Sequence, residues 1–105
     1  MTEQQEVSQS IQLISNHFSI ADNELVLEES TFDSLENKLT SIVSYLLDKD
    51  MNRLLNSLYR IDLNESVFKK ILTEEPPENL SRRIAGEIIK RELQKVKTRE
   101  KYKGL

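Results

Sequence analysis

Four apolar side chains near the start of the chain recur at intervals of three or four residues. They are Val7, Ile11, Ile14 and Phe18. This spacing places them on one face of an α-helix whose other faces are polar. The pattern therefore predicts an amphipathic helix over about residues 4–17.

The next stretch, residues 19–30, has no clear period of hydrophobic and polar positions. Leu25 and Leu27 alternate as they would in a short extended segment, but one such segment cannot form a sheet. We therefore expect a long connection between two helices, with both leucines packed into the core.

A second helical pattern begins after Ser30 or Thr31, either of which can cap a helix with its hydroxyl oxygen. Its apolar positions are Leu35, Leu39, Ile42 and Leu46. The next position in this series is Asp50, and the one after it is Leu54. A continuous helix would bury the Asp50 carboxylate at a cost of several kcal/mol. We therefore predict a break near residues 48–50, with Asp48 or Asp50 as the exposed N-cap of a third helix.

The third and fourth helices are predicted to be short. The apolar positions of the third are Met51, Leu54, Leu55 and Leu58, and those of the fourth are Val67, Phe68, Ile71 and Leu72. Asn64 is the predicted N-cap of the fourth helix, with Leu63 and Phe68 spaced as a hydrophobic staple. This helix must end by Glu75, because Pro76 disfavours helical geometry in the residue before it.

The last helix is predicted over about residues 78–102, opened by the proline pair and followed by a capping glycine, Gly104. Its apolar arc consists of Leu80, Ile84, Ala85, Ile88, Ile89, Leu93 and Val96. The arc is wider than one seam, so part of it can pack on two neighbouring helices. The sequence therefore predicts one all-α domain over residues 1–105, a small bundle of about five helices. Its basic C-terminal end, residues 97–105, is free to fray.

Charge is distributed unevenly along this 105-residue chain, whose net charge is −3. The first 50 residues hold ten acidic and two basic side chains, and the remainder hold eight acidic and thirteen basic ones. Such a division is typical of helices that attract each other within a fold, or of a chain with one end directed at a charged partner. We favour the first interpretation.

Composition argues against most catalytic chemistry. The chain has no cysteine, one histidine (His17) and only two glycines, so thiolate sites, His-rich metal sites and glycine-rich phosphate loops are all missing. His17 is expected to be a surface or helix-end imidazole. We therefore predict no enzyme activity, no metal and no cofactor. The absence of a signal-peptide pattern and of a long apolar run favours a soluble cytoplasmic protein.

The C-terminal helix ends in a basic run with seven basic and two acidic residues between Lys90 and Lys103. Three interpretations remain open: a solvated helix end, a partner-docking surface, or a nucleic-acid arm in which Tyr102 stacks on a base. The candidate contact residues are Arg91, Lys95, Lys97, Arg99, Lys101, Tyr102 and Lys103. The leading hypothesis is a non-catalytic protein-interaction or structural module that docks another protein or a second copy of itself. Nucleic-acid binding is the alternative, and no membrane contact is expected.

Overall fold

The computed structural model describes residues 2–20 and 24–103, which contain five helices and no strand. The helices are α1 (Glu3–His17), α2 (Phe32–Lys49), α3 (Met51–Arg60), α4 (Glu65–Glu74) and α5 (Pro77–Lys103). The predicted all-α bundle with a long last helix is confirmed. Gly104, the predicted cap of α5, lies outside the described residues.

Side-chain oxygens accept hydrogen bonds from free backbone N–H groups at the starts of the first four helices. Thr2 and Gln5 form a capping box at α1, each side chain accepting from the other's backbone N–H. Of the two predicted caps of α2, Thr31 is the one that acts, its Oγ1 accepting from Ser34 N at 3.1 Å. Asn64 caps α4 as predicted, with Oδ1 2.8 Å from Ser66 N.

The predicted break between α2 and α3 is confirmed at Asp50. The chain leaves helical geometry at this one residue, where φ is −155° and ψ is 69°. Asp50 is exposed, and its Oδ1 accepts a hydrogen bond from Arg53 N at 3.1 Å. The carboxylate thus remains in water and caps α3.

We expect Asp50→Ala to lower the free energy of unfolding by about 0.5–2 kcal/mol, because the N-cap hydrogen bond is lost. Asp50→Leu should also be destabilising, since a leucine at this exposed bend neither caps α3 nor extends the core. Thermal melts of both variants beside the parent test this. A higher midpoint for Asp50→Leu would contradict the observed bend.

The core is organised around α5, which packs most extensively on α2 and also contacts α1 and α4. Ile84, Ala85 and Ile88 are completely buried, and Val96 is 1% exposed. Three helices rather than two therefore cover the wide apolar arc of α5. Leu25 is also buried and Leu27 packs against the core, as predicted for the connection after α1.

Some predicted core positions lie on the surface. Met51 and Leu55 of α3 are each 39% exposed, and Leu72 of α4 is 41% exposed. The reason is that α3 packs mainly on α2 and α4 mainly on α5, so each short helix buries a narrow stripe. In α3 that stripe contains Leu54 and Leu58.

Candidate functional site

Two of the candidate contact residues on α5 are engaged within the fold. The half-buried Arg91 donates from Nε to the carbonyl oxygen of Ile61 at 3.2 Å, and its guanidinium lies 3.7 Å from the Asp62 carboxylate. Lys95 Nζ lies 3.4 Å from an oxygen of Glu92, with a quarter of its side chain exposed. Arg91 thus links α5 to the turn after α3, and Lys95 is paired within α5, so neither residue is a free cation on an open basic surface.

The other candidates lie beyond Val96 and do not share one face. Lys97, Arg99 and Lys101 are exposed and form no ion pair in the described part of the chain. Lys97 and Lys101 are one turn apart, whereas Arg99 lies two positions from each and points elsewhere. The Lys103 side chain is outside the described set.

An open cleft of about 720 Å³ separates the end of α5 from α1. Gln9 and Gln12 line it from α1, and Arg99, Glu100 and Tyr102 line it from α5. Tyr102 is 59% exposed there. The cleft therefore offers amide groups, one guanidinium and one aromatic ring, together with an opposing carboxylate.

The sequence patterns did not predict that an acidic side chain would be buried in the core. Glu92 is completely buried in α5, and its Oε2 lies 3.0 Å from Nδ1 of His17 at the end of α1. Its other oxygen, near Lys95, has no well-formed hydrogen bond. His17 is at a helix end, as predicted, but it joins two helices instead of facing only solvent. Since a substrate would have to displace His17 or Lys95 to reach the carboxylate, we interpret this group as structural.

One side of α3 exposes five side chains that carry no charge. We call it the α3 outer face; it consists of Met51, Asn52, Leu55, Asn56 and Tyr59. All five are exposed, and Tyr59, at 85%, is the most exposed large hydrophobic side chain described. This face places three exposed large hydrophobic side chains, Met51, Leu55 and Tyr59, on one side of a single helix.

The two charged residues of α3 explain this neutrality, because both turn toward the end of α1. Arg53 donates to the carbonyl oxygens of Phe18 and Ser19 at 3.0 and 3.1 Å. Arg60 donates to Ser19 Oγ at 3.1 Å and to the His17 carbonyl oxygen at 3.3 Å. They satisfy carbonyl groups that a helix C-terminus leaves free, and they fix α3 against α1.

In the described part of the chain, one ion pair joins an acidic side chain of the first half to a basic side chain of the second. The Arg82 guanidinium on α5 lies 3.6 Å from Glu36 on α2 and donates to Asn37 Oδ1 at 3.1 Å. His17 and Glu92 also join the halves, but in the opposite sense, because the acid belongs to the second half and the imidazole to the first. The exposed basic side chains after Val96 take no part in this pairing.

Within residues 2–20 and 24–103, no group of three or more acidic or histidine side chains could hold a metal ion. Nor is any helix in those ranges sufficiently long and apolar to cross a membrane. Comparison of the chain with protein-family models, curated proteins and solved structures gives no match in any of the three.

Proposed function

We propose that the chain is a non-catalytic protein-interaction module and that the α3 outer face is its docking surface. The observation that carries this proposal is the exposure of Tyr59, Leu55 and Met51 on one uncharged helix face. The proposal places docking on α3 rather than on α5, because the apolar arc of α5 is already covered within the chain.

The composition of this face supports protein docking. The cores of protein interfaces are enriched in tyrosine and methionine and depleted in lysine and glutamate, because charged groups lose hydration when a partner covers them. Tyrosine is also enriched among the few interface residues that supply most of the binding energy. Asn52 and Asn56 can exchange hydrogen bonds with a partner without the cost of burying a charge.

The way α3 is held also supports docking, since a preordered surface loses less entropy on binding. Leu54 and Leu58 anchor the opposite side of the helix in the core. Arg53 and Arg60 tie it to the end of α1. The exposed side chains therefore project from a fixed backbone.

A photoreactive benzoylphenylalanine at position 59 tests the proposal in cells that express the chain. We expect covalent protein adducts from position 59 and far fewer from position 45. Tyr45 is a suitable control because it is also a well-exposed tyrosine, 61% against 85%, but lies on α2. Equal adduct yields at the two positions would mean that α3 is not the docking surface.

Nucleic-acid binding at the end of α5 is a second candidate, favoured by one observation. Lys97, Arg99 and Lys101 are exposed without a described ion pair, next to the exposed ring of Tyr102. Arg91 and Lys95 have partners within the fold, so at least three of the candidate cations remain for phosphates. Log K should then fall with log salt at a slope of about −2 to −3.

A double substitution separates this candidate from non-specific attraction. Arg99→Ala with Lys101→Ala should weaken binding to a fluorescent oligonucleotide and make the salt slope shallower by about 2. The control is Lys69→Ala with Lys70→Ala on α4, where both lysines are exposed. Similar losses in the two double variants, or no binding at low salt, would reject the candidate.

A further inference from the structure

We infer that the partner of the α3 outer face is a second copy of the same chain, with the two α3 helices antiparallel about a twofold axis at Leu55. The inference rests on the proposed function and specifies its partner. Two properties of the face support it, its neutrality and its internal symmetry, and its size sets the strength of the association.

Neutrality favours a second copy because identical surfaces bring identical charges together. A patch that carries a net charge repels its own copy, and charged residues make up 31% of this chain. The α3 outer face avoids this cost, since Arg53 and Arg60 point toward α1.

The order of residues along the face makes it complementary to itself. Leu55 stands midway between Met51 and Tyr59, four residues from each. In a twofold antiparallel pair, Leu55 meets Leu55 of the second copy, and each Met51 meets Tyr59 of the other copy. Contacts between a methionine sulfur and an aromatic ring are favourable.

The polar members of the face fit the same arrangement. Asn52 and Asn56 form a row beside the apolar stripe, and in this register Asn52 of one copy lies about two residues, roughly 3 Å along the axis, from Asn56 of the other. Each amide carries both donors and acceptors, so the two can hydrogen-bond to each other. The antiparallel direction also places the positive end of each helix dipole beside the negative end of its neighbour.

The size of the face sets the strength of the association. α3 has ten residues, a length of about 15 Å, so one face of it covers less than the ~800 Å² per partner of a stable interface. The dimer is therefore weak and reversible and forms at high protein concentration.

Single cysteine variants test the geometry directly, because the chain contains no cysteine of its own. Under mild oxidation, Leu55→Cys should form a disulfide dimer at least ~10-fold faster than Leu72→Cys, since its partner sulfur is held nearby. Leu72 is the matched control: it is 41% exposed against 39% for Leu55, but lies on α4. Tyr59→Cys should not cross-link with itself, because eight residues along the helices separate the two sites by roughly 12 Å. Rapid Tyr59→Cys dimers would reject the antiparallel register.

Sedimentation equilibrium provides a test without cysteine. The average mass of the wild-type chain should rise from 12.3 kDa toward twice that value with concentration. Leu55→Lys should remain monomeric, whereas Leu72→Lys should behave like wild type. A monomeric wild type at all concentrations, with equal cross-linking of both leucine positions, would overturn self-association. In that case adducts of other proteins at position 59 would preserve the docking function, and their absence would reject it as well.

Discussion

His17→Ala is expected to destabilise the protein by about 3 kcal/mol, and to lower Tm by roughly 10–20 °C for a chain of this size. The imidazole Nδ1 lies 3.0 Å from the carboxylate of Glu92, which is completely buried. Removing His17 leaves that charge in the core with only Lys95 near it, at 3.4 Å. A buried carboxylate that loses one of its two charged partners costs more than the packing of the small imidazole.

A double-mutant cycle identifies the carboxylate as the source of this cost. Glu92→Met fills similar volume without a charge, so it should be close to neutral or slightly stabilising. In that background His17→Ala should cost less than ~1 kcal/mol, because no buried charge is left unpaired. Gln12→Ala, at an exposed position of α1, serves as the control for a change of helix surface. If His17→Ala costs the same in both backgrounds, the ion pair is not what His17 contributes.

Glu92 and Asp50 show how far helical periodicity can be used to predict a fold. Each acid stands four residues from apolar side chains on both sides, Asp50 between Leu46 and Leu54, and Glu92 between Ile88 and Val96. The same rule therefore marks both as expensive to bury. At Asp50 the helix breaks. At Glu92 the helix continues because His17, which is far away in the sequence, lies 3.0 Å from the carboxylate. Periodicity identifies the position at which a continuous helix would bury an acid. The tertiary structure determines whether the helix breaks there or a partner side chain pairs with the acid.

The helices themselves could be predicted because their signals are local. A capping hydroxyl or amide, an apolar repeat and a proline lie within a few residues of the backbone that they affect. Thus Asn64 and Pro76 marked the two ends of α4 correctly. The connection after α1 was harder, since Leu25 reaches the core without any period to indicate it.

The partners of basic side chains could not be predicted in the same way. Arg91 meets the Ile61 carbonyl 30 residues away, and Arg53 meets Phe18 at a separation of 35. Such contacts depend on how whole helices pack, and no local pattern encodes them. The number of basic residues in the sequence therefore overestimated the exposed positive charge on α5, because Arg91 and Lys95 have partners within the fold. The neutral face of α3 could not be predicted for the same reason, because it depends on the contacts of Arg53 and Arg60 with the end of α1.

The second large effect is expected from neighbouring leucines on α3. Leu54→Ala should lower the free energy of unfolding by about 2–5 kcal/mol, because Leu54 is completely buried and its removal leaves a cavity against α2. Leu55→Ala should cost under ~1 kcal/mol in dilute solution, since Leu55 is 39% exposed and loses less buried area. The change in helix propensity is the same in both, so the difference reports burial alone.

Denaturant unfolding of the two variants at low protein concentration measures this difference. Nearly equal losses would mean that Leu55 is as buried as its neighbour, and the α3 outer face would not exist as a free surface. Thermal melts of the same variants at low and high protein concentration then separate folding from association. Dimerisation of folded chains raises Tm as the concentration increases. That rise should persist in Leu54→Ala, which keeps the outer face intact. It should vanish in Leu55→Ala, because the contact at the twofold axis is lost while the monomer remains folded.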